Sequence, residues 1–193
     1  MDQLKRYCLT SKNKFYTVSI AAFIFGEIFG TMILMLPDED SNEVKDPVIC
    51  AIITTIVLLI AFVLAYIHFI TNPRKRFKGR LQYFQQRGLV DYAISDVQRG
   101  VTKFNGKLLL GEYCIMGKGT GLIVFYNEID SIYIKIHRST DEDGSTTETW
   151  TLKIDACGKT YSVCNVIRNN RSLQDWADVR TFLSLKAPYI IIK

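Results

Sequence analysis

Apolar positions are distributed unevenly along this chain, and the pattern divides it into three. Two near-continuous apolar runs come first, Phe15 to Leu36 with 22 positions and Val48 to Ile70 with 23. Each meets the roughly 17 to 25 residues needed to cross a hydrocarbon core about 30 Å thick. Backbone groups in lipid must be satisfied within their own segment, so both runs are expected as α-helices, made antiparallel by the short stretch between them. The first run is too long for a signal-peptide core and is followed by no small-x-small cleavage pattern, so it is expected to stay in the protein.

After Gly79 the apolar period becomes helical, with Leu81 and Phe84, then Leu89, Val90, Ala93, Ile94 and Val97, predicting two short helices broken at Gly88. From Gly100 the glycines become frequent and the period shortens to that of strands. Leu108–Leu110, Tyr113–Met116, Leu122–Tyr126, Ser131–His137, Thr147–Asp155 and Thr160–Val166 read as β-strands, the last three as an antiparallel meander. Ile132, Ile134 and Ile136 alternate with Tyr133, Lys135 and His137, which predicts a strand with one buried face. Ser172 is the expected N-cap of a final helix carrying Leu173, Trp176, Val179 and Leu183 and ending near Leu185. Pro188 stops it, and Tyr189–Ile192 is expected to lie back as an apolar tail.

Charge turns this pattern into a topology. The net charge of +5 suggests nucleic acid, but its distribution does not. Lys5, Arg6, Lys12 and Lys14 precede the first run, and Arg74, Lys75, Arg76 and Lys78 follow the second. The loop between Pro37 and Pro47 carries Asp38, Glu39, Asp40, Glu43 and Asp46. From residue 79 onward 15 basic side chains face 12 acidic ones. The positive-inside rule then places both termini in the cytosol and the acidic loop outside, at a cell membrane if the source is bacterial. The expected organisation is a basic N-terminus (1–14), a transmembrane hairpin (15–71), a basic helical connector (72–100) and a cytosolic domain (101–193). Arg74, Lys75, Arg76 and Lys78 are expected at the membrane surface, each contributing on the order of 1 kcal/mol on an anionic leaflet.

Candidate chemistry is sparse. Glu27 falls mid-helix, where an ionised carboxylate costs roughly 2.5 to 3.5 kcal/mol on insertion scales, so it is expected to face protein or be protonated. By depth Thr54 and Thr55 can donate to it, and Gly26 and Gly30 flank it as a small-xxx-small face. That face suits contact within the hairpin, contact between copies in a homo-oligomer, or, less directly, a small transporter subunit using Glu27. The five cysteines form no CxxC pair and suit a reducing compartment, with no disulfide framework or zinc site. Asp141, Asp143 and Gly144 resemble part of a calcium loop, but the remaining ligands are missing. Gly117-Lys118-Gly119-Thr120-Gly121 lacks the order of a phosphate loop and reads as a hairpin turn. No cofactor, metal or catalytic set is expected.

The order of elements, with the run Gly111-Glu112-Tyr113-Cys114-Ile115-Met116, the stretch Tyr126-Asn127-Glu128-Ile129-Asp130-Ser131-Ile132-Tyr133 and the helix around Trp176, resembles bacterial membrane-anchored proteins with a pleckstrin-homology-like (PH-like) domain. The resemblance covers roughly residues 101 to 193. It implies an α+β fold in which a bent antiparallel sheet is capped by the C-terminal helix, and loops that bind lipids, peptides or proteins. The expected function is therefore a non-catalytic two-pass membrane protein, an accessory or scaffold whose domain binds a protein partner at the inner membrane surface. The alternative is a peripheral sensor of anionic lipid headgroups. The chain lacks the dense basic loop of a phosphoinositide reader, and nucleic acid is not an expected partner.

Overall fold

The computed structural model describes residues 1–10, 12–34, 46–141 and 143–193. The acidic stretch 37–45 and Glu142 lie outside the described residues. The chain separates into two compact units, one made of Met1–Leu9 with Pro73–Lys193 and the other of Thr10–Asn72.

The second unit is the apolar hairpin. Helix α2 (Lys12–Leu34) has 23 residues and α3 (Pro47–Tyr66) has 20, so at about 1.5 Å per residue each is long enough to span a bilayer core. Asp46 caps α3 by accepting from the Val48 amide at 2.8 Å, with Pro47 in the first helical turn where its missing N–H costs nothing. Ile24, Phe25, Ile28 and Phe29 on α2 and Ile52, Ile56, Leu59 and Ile60 on α3 are all exposed. These are two helices long and apolar enough to cross a membrane.

The second helix does not stop where its apolar run ends at Ile70, and Asn72 and Pro73 lie inside its continuation. A π-helical turn (Ile67–Thr71) follows α3 and leads directly into α4 (Asn72–Gln86). Proline removes one N–H and crowds the carbonyl four residues back. The wider turn, in which the Asn72 amide donates to the Ile67 carbonyl, lets the helix continue through it.

In the first unit α1 (Asp2–Cys8), α4 and α5 (Val90–Arg99) surround one face of a four-stranded antiparallel sheet, β1 (Val101–Lys103), β2 (Leu108–Leu110), β3 (Cys114–Gly117) and β4 (Leu122–Phe125), in that order. Alternate residues point to opposite faces of a strand. Leu109, Cys114, Met116, Ile123 and Phe125 therefore meet Leu4, Cys8, Phe77, Phe84 and Ala93 in one core. Leu108, Leu110, Ile115, Leu122 and Val124 enter the other.

That other core is closed by a second sheet of order β7-β6-β5-β8, built from β5 (Ile129–Thr140), β6 (Thr146–Ala156), β7 (Lys159–Ile167) and β8 (Ile191–Ile192). β5 to β7 form an antiparallel meander, and β8 joins β5 in parallel through Ser131↔Ile191 and Ile132↔Ile192. The β6–β7 turn places Cys157 at φ 51° and Gly158 at φ 70°, a left-handed pair whose twist suits a two-residue hairpin. Helix α6 (Asn170–Lys186) lays Val179 and Leu183 into the same core. Its N-cap is Asn169, three residues before the expected Ser172. The Asn169 side chain accepts from the Ser172 amide at 2.9 Å, and Ser172 Oγ accepts from the Asn169 amide at 2.8 Å, so two orphan donors are satisfied reciprocally.

Candidate functional site

The feature that organises the first unit is the turn between β3 and β4, Gly117-Lys118-Gly119-Thr120-Gly121. The Gly119 amide donates to the Tyr7 carbonyl at 3.0 Å, and the Gly121 amide to the Cys8 carbonyl at 2.7 Å. Thr120 forms an isolated antiparallel bridge with Leu9. From the other side Arg76 Nη1 donates to the Thr120 carbonyl at 3.2 Å, and its guanidinium lies 5.3 Å from the Tyr161 ring centroid. Gly121 has φ 67°, and a Cβ there would fall 2.0 Å from the Pro73 carbonyl oxygen. Only glycine accepts both that backbone geometry and that approach. One five-residue turn thus holds Tyr7–Leu9, just before the hairpin, and Pro73–Arg76, just after it. Its amides at 119 and 121 face carbonyls, not an anion.

Helix α4 is fastened further along by Arg80. Its Nε donates to the Ile123 carbonyl at 2.9 Å, its Nη2 pairs with Glu128, and its guanidinium lies over the Phe84 ring at 4.7 Å. Glu128 in turn accepts from the Phe125 amide at 3.0 Å. The basic run read from sequence therefore divides. Arg76 is turned onto the domain and Arg74 is half-buried, while Lys75 and Lys78 are exposed.

Helix α5 is fastened by Asp96, 2% exposed. Its carboxylate accepts from the backbone amides of Glu112 at 2.8 Å, Tyr113 at 2.9 Å and Cys114 at 2.8 Å, and from the Cys114 thiol at 3.2 Å. Gly111 leaves the necessary room, since a Cβ there would stand 2.2 Å from the carboxylate. Burial, then the charge of Asp96, pushes the Cys114 thiol well above its ordinary value. Burial also pushes Cys8 and Cys164 up to about 12. These three thiols are therefore neutral packing groups and poor nucleophiles.

Within the hairpin unit, the five residues singled out from sequence lie at one helix–helix contact. Thr55 Oγ1 sits 3.0 Å from Glu27 Oε1 and 2.9 Å from the Ala51 carbonyl, so one hydroxyl proton is shared between two acceptors. Gly26 faces Leu58 and Gly30 faces Thr54, with built Cβ positions 2.8 and 2.7 Å from those side chains. Thr54 donates to its own helix at Cys50. The small-residue face thus lies between α2 and α3. Phe15, Phe62 and Tyr66 add ring contacts at 5.8 to 5.9 Å.

Sequence reasoning missed Asp96, the docking of α1 and the double grip of the glycine turn. Asp96 stands three residues after Ala93 on the apolar face of its helix, a signal that was visible. Leu4 and Cys8 have the i, i+4 spacing of a buried stripe. The tip Asp141–Ser145 is closed locally, Ser145 donating to Asp143 at 3.0 Å and to Asp141 at 3.2 Å. Among the described residues no group of three or more His, Cys, Asp or Glu is placed to hold a metal ion. Comparison with protein-family models, with curated proteins and with solved structures returned no match.

Proposed function

We propose that this chain is a non-catalytic two-pass membrane protein that presents a PH-like domain to a protein partner at the inner surface of a bacterial cell membrane, as an accessory or scaffold. The observation that carries the reading is the double grip of the Gly117–Gly121 turn. The chain leaves the first unit after Leu9 and returns to the same unit at Pro73, with two apolar helices between. An even number of crossings satisfies that constraint, and the basic flanks put the unit on the cytosolic side. Support for a PH-like domain comes from the succession of a four-stranded antiparallel sheet, a three-stranded meander and a closing helix. Support for a binding role comes from the polar groups described above, which are engaged in joining elements.

Topology is tested by cysteine labelling in a Cys157→Ser background, because Cys157 is the exposed native thiol among those described. An impermeant reagent should modify Ser41→Cys from outside intact cells and leave Ser145→Cys protected; the reverse pattern overturns the orientation. Crosslinking in membranes tests the partner. Recovery of one specific protein is expected, and a chain that captures none defeats the reading.

Lys75 and Lys78 favour a secondary role for anionic headgroups, since they remain exposed where Arg76 does not. Replacing both with glutamine should weaken flotation with anionic vesicles and leave neutral vesicles unaffected.

A further inference from the structure

We propose that the outer edge of β5, from Ile134 to Arg138, is a strand-addition site for an extended acidic segment of the partner. The assignment rests on the interaction-module reading above and names its surface. β5 has twelve residues, and its inner side pairs with β6 as far as Thr140↔Thr146. Its outer side pairs with β8 only at Ser131 and Ile132, where the Lys193 amide donates to the Ile132 carbonyl at 3.1 Å.

Peptide groups alternate along a strand, and no register shift interrupts β5 after Ser131. The N–H and C=O of Ile134, Ile136 and Arg138 therefore point the same way as the Ile132 carbonyl, away from β6. No described strand pairs with them. An unpaired row of this length is a template for another strand. Ile136 lies along it half exposed, at 50%, whereas on the same face Ile132 is buried and Ile134 is half-buried.

Charge chooses the occupant. The face beside the edge carries Lys135, exposed, and Lys193, whose ammonium lies 5.7 Å from the Tyr133 ring centroid. Lys153 follows on β6. Asp155 on that face accepts from Ser131 Oγ at 2.7 Å and Thr160 Oγ1 at 2.6 Å, remains an anion and offsets one of these three cations, which leaves the face cationic. A segment laid on the edge would place alternate side chains beside Ile134 and Ile136 and the others beside Lys135 and His137. Alternating apolar and acidic residues fit both faces. A second copy of this chain would bring its own Lys135 to the same edge, which opposes self-pairing.

The test uses the full chain in neutral-lipid nanodiscs with two blocked octapeptides, one alternating Glu and Val, the other Lys and Val. Binding of the Glu peptide alone, with slowed hydrogen exchange at the amides of 134, 136 and 138, is expected. Ile136→Pro removes an amide that does not pair with β6, a place where proline is tolerated. It should weaken binding at least tenfold without changing the unfolding midpoint, and Lys135→Glu should reverse the peptide preference. Equal binding of both peptides, no edge protection, or an unaffected Ile136→Pro overturns the site. Edge amides already slow in the free chain, with a doubled mass, would assign the edge to a second copy and overturn it too. If Ile136→Pro still crosslinks the membrane partner at native yield, the edge assignment falls and the interaction reading stands; if nothing crosslinks even to the native chain, the interaction reading itself falls.

Discussion

The two sheets of the first unit differ in the strands they are built from, short and nearly all apolar in β2, β3 and β4, long and mixed in β5, β6 and β7. In the first, β2, β3 and β4, of three or four residues, are covered on both faces and every one of their residues is buried. Their alternate side chains feed two cores, and the turn between β3 and β4 holds Tyr7–Leu9 and Pro73–Arg76 of the same unit. In the second, β5, β6 and β7, of nine to twelve residues, bury one face and leave the other to solvent. Beyond Ile132 the outer edge of β5 also has no partner among the described strands. Strands sealed on both faces can hold other elements in place, whereas a strand with a bare face and edge can receive something. On the proposed reading the first sheet holds and the second presents, and substitutions in the two sheets should separate in the same way.

The strongest break of the comparison is expected at Asp96→Ala. Three backbone amides lose their acceptor, and bonds to a charged acceptor are worth about 1.5 to 3 kcal/mol each, with non-additivity lowering the sum. A loss of about 4 kcal/mol in denaturant unfolding is expected, with α5 and the β2–β3 segment exchanging first. A loss below about 1 kcal/mol would show that α5 is held by its apolar face alone. Gly121→Ala comes next. The left-handed backbone costs roughly 1 kcal/mol for alanine, and the collision with the Pro73 carbonyl adds to it, giving about 2 to 3 kcal/mol. Gly106→Ala is the control, because its φ is also left-handed, at 75°, with nothing within 4 Å of the built Cβ. Equal losses at the two glycines would deny the turn its grip on Pro73.

How much of this was legible in the sequence follows from the same contrast. The long strands of the second sheet alternate apolar and polar residues because one face is wet, so β5 was readable from Ile132, Ile134 and Ile136. The first sheet announces itself only as short apolar runs such as Leu108–Leu110, which periodicity cannot assign to faces when both are covered. α1 was hidden for another reason. Lys5 and Arg6 dominate a seven-residue helix whose buried stripe is only Leu4 and Cys8, so it read as a basic tail. Arg76 looked like its neighbours in a cationic run, and only the fold distinguishes it from Lys75 and Lys78. The glycine turn was recognisable as a turn, but its partners lie more than forty residues away in the chain, beyond the reach of local pattern.

The mildest expected effect, acid sensitivity, sharpens the comparison from the other side. Glu148 on β6 accepts from Trp150 Nε1 at 2.7 Å and from Arg138 and Arg168 at 3.3 Å. The Trp150 bond first, then these arginines, lower its pKa from the ordinary 4.5 against an opposing effect of burial. Asp155 is lowered from 3.8 by Thr160 and then Ser131. For a carboxyl group lowered on folding, the stabilisation is complete above its unfolded value and is lost as the pH falls through the folded one. Stability contributed by Glu148 should therefore be intact above pH 4.5 and decline below it. Both groups join strands of the second sheet, so hydrogen exchange at falling pH should rise in β5–β6 before β2–β4. Glu148→Gln should remove most of that difference at Thr147–Thr149. If the first sheet loosens first, the open sheet is not the acid-sensitive one, and the division between a holding sheet and a presenting sheet loses its electrostatic basis.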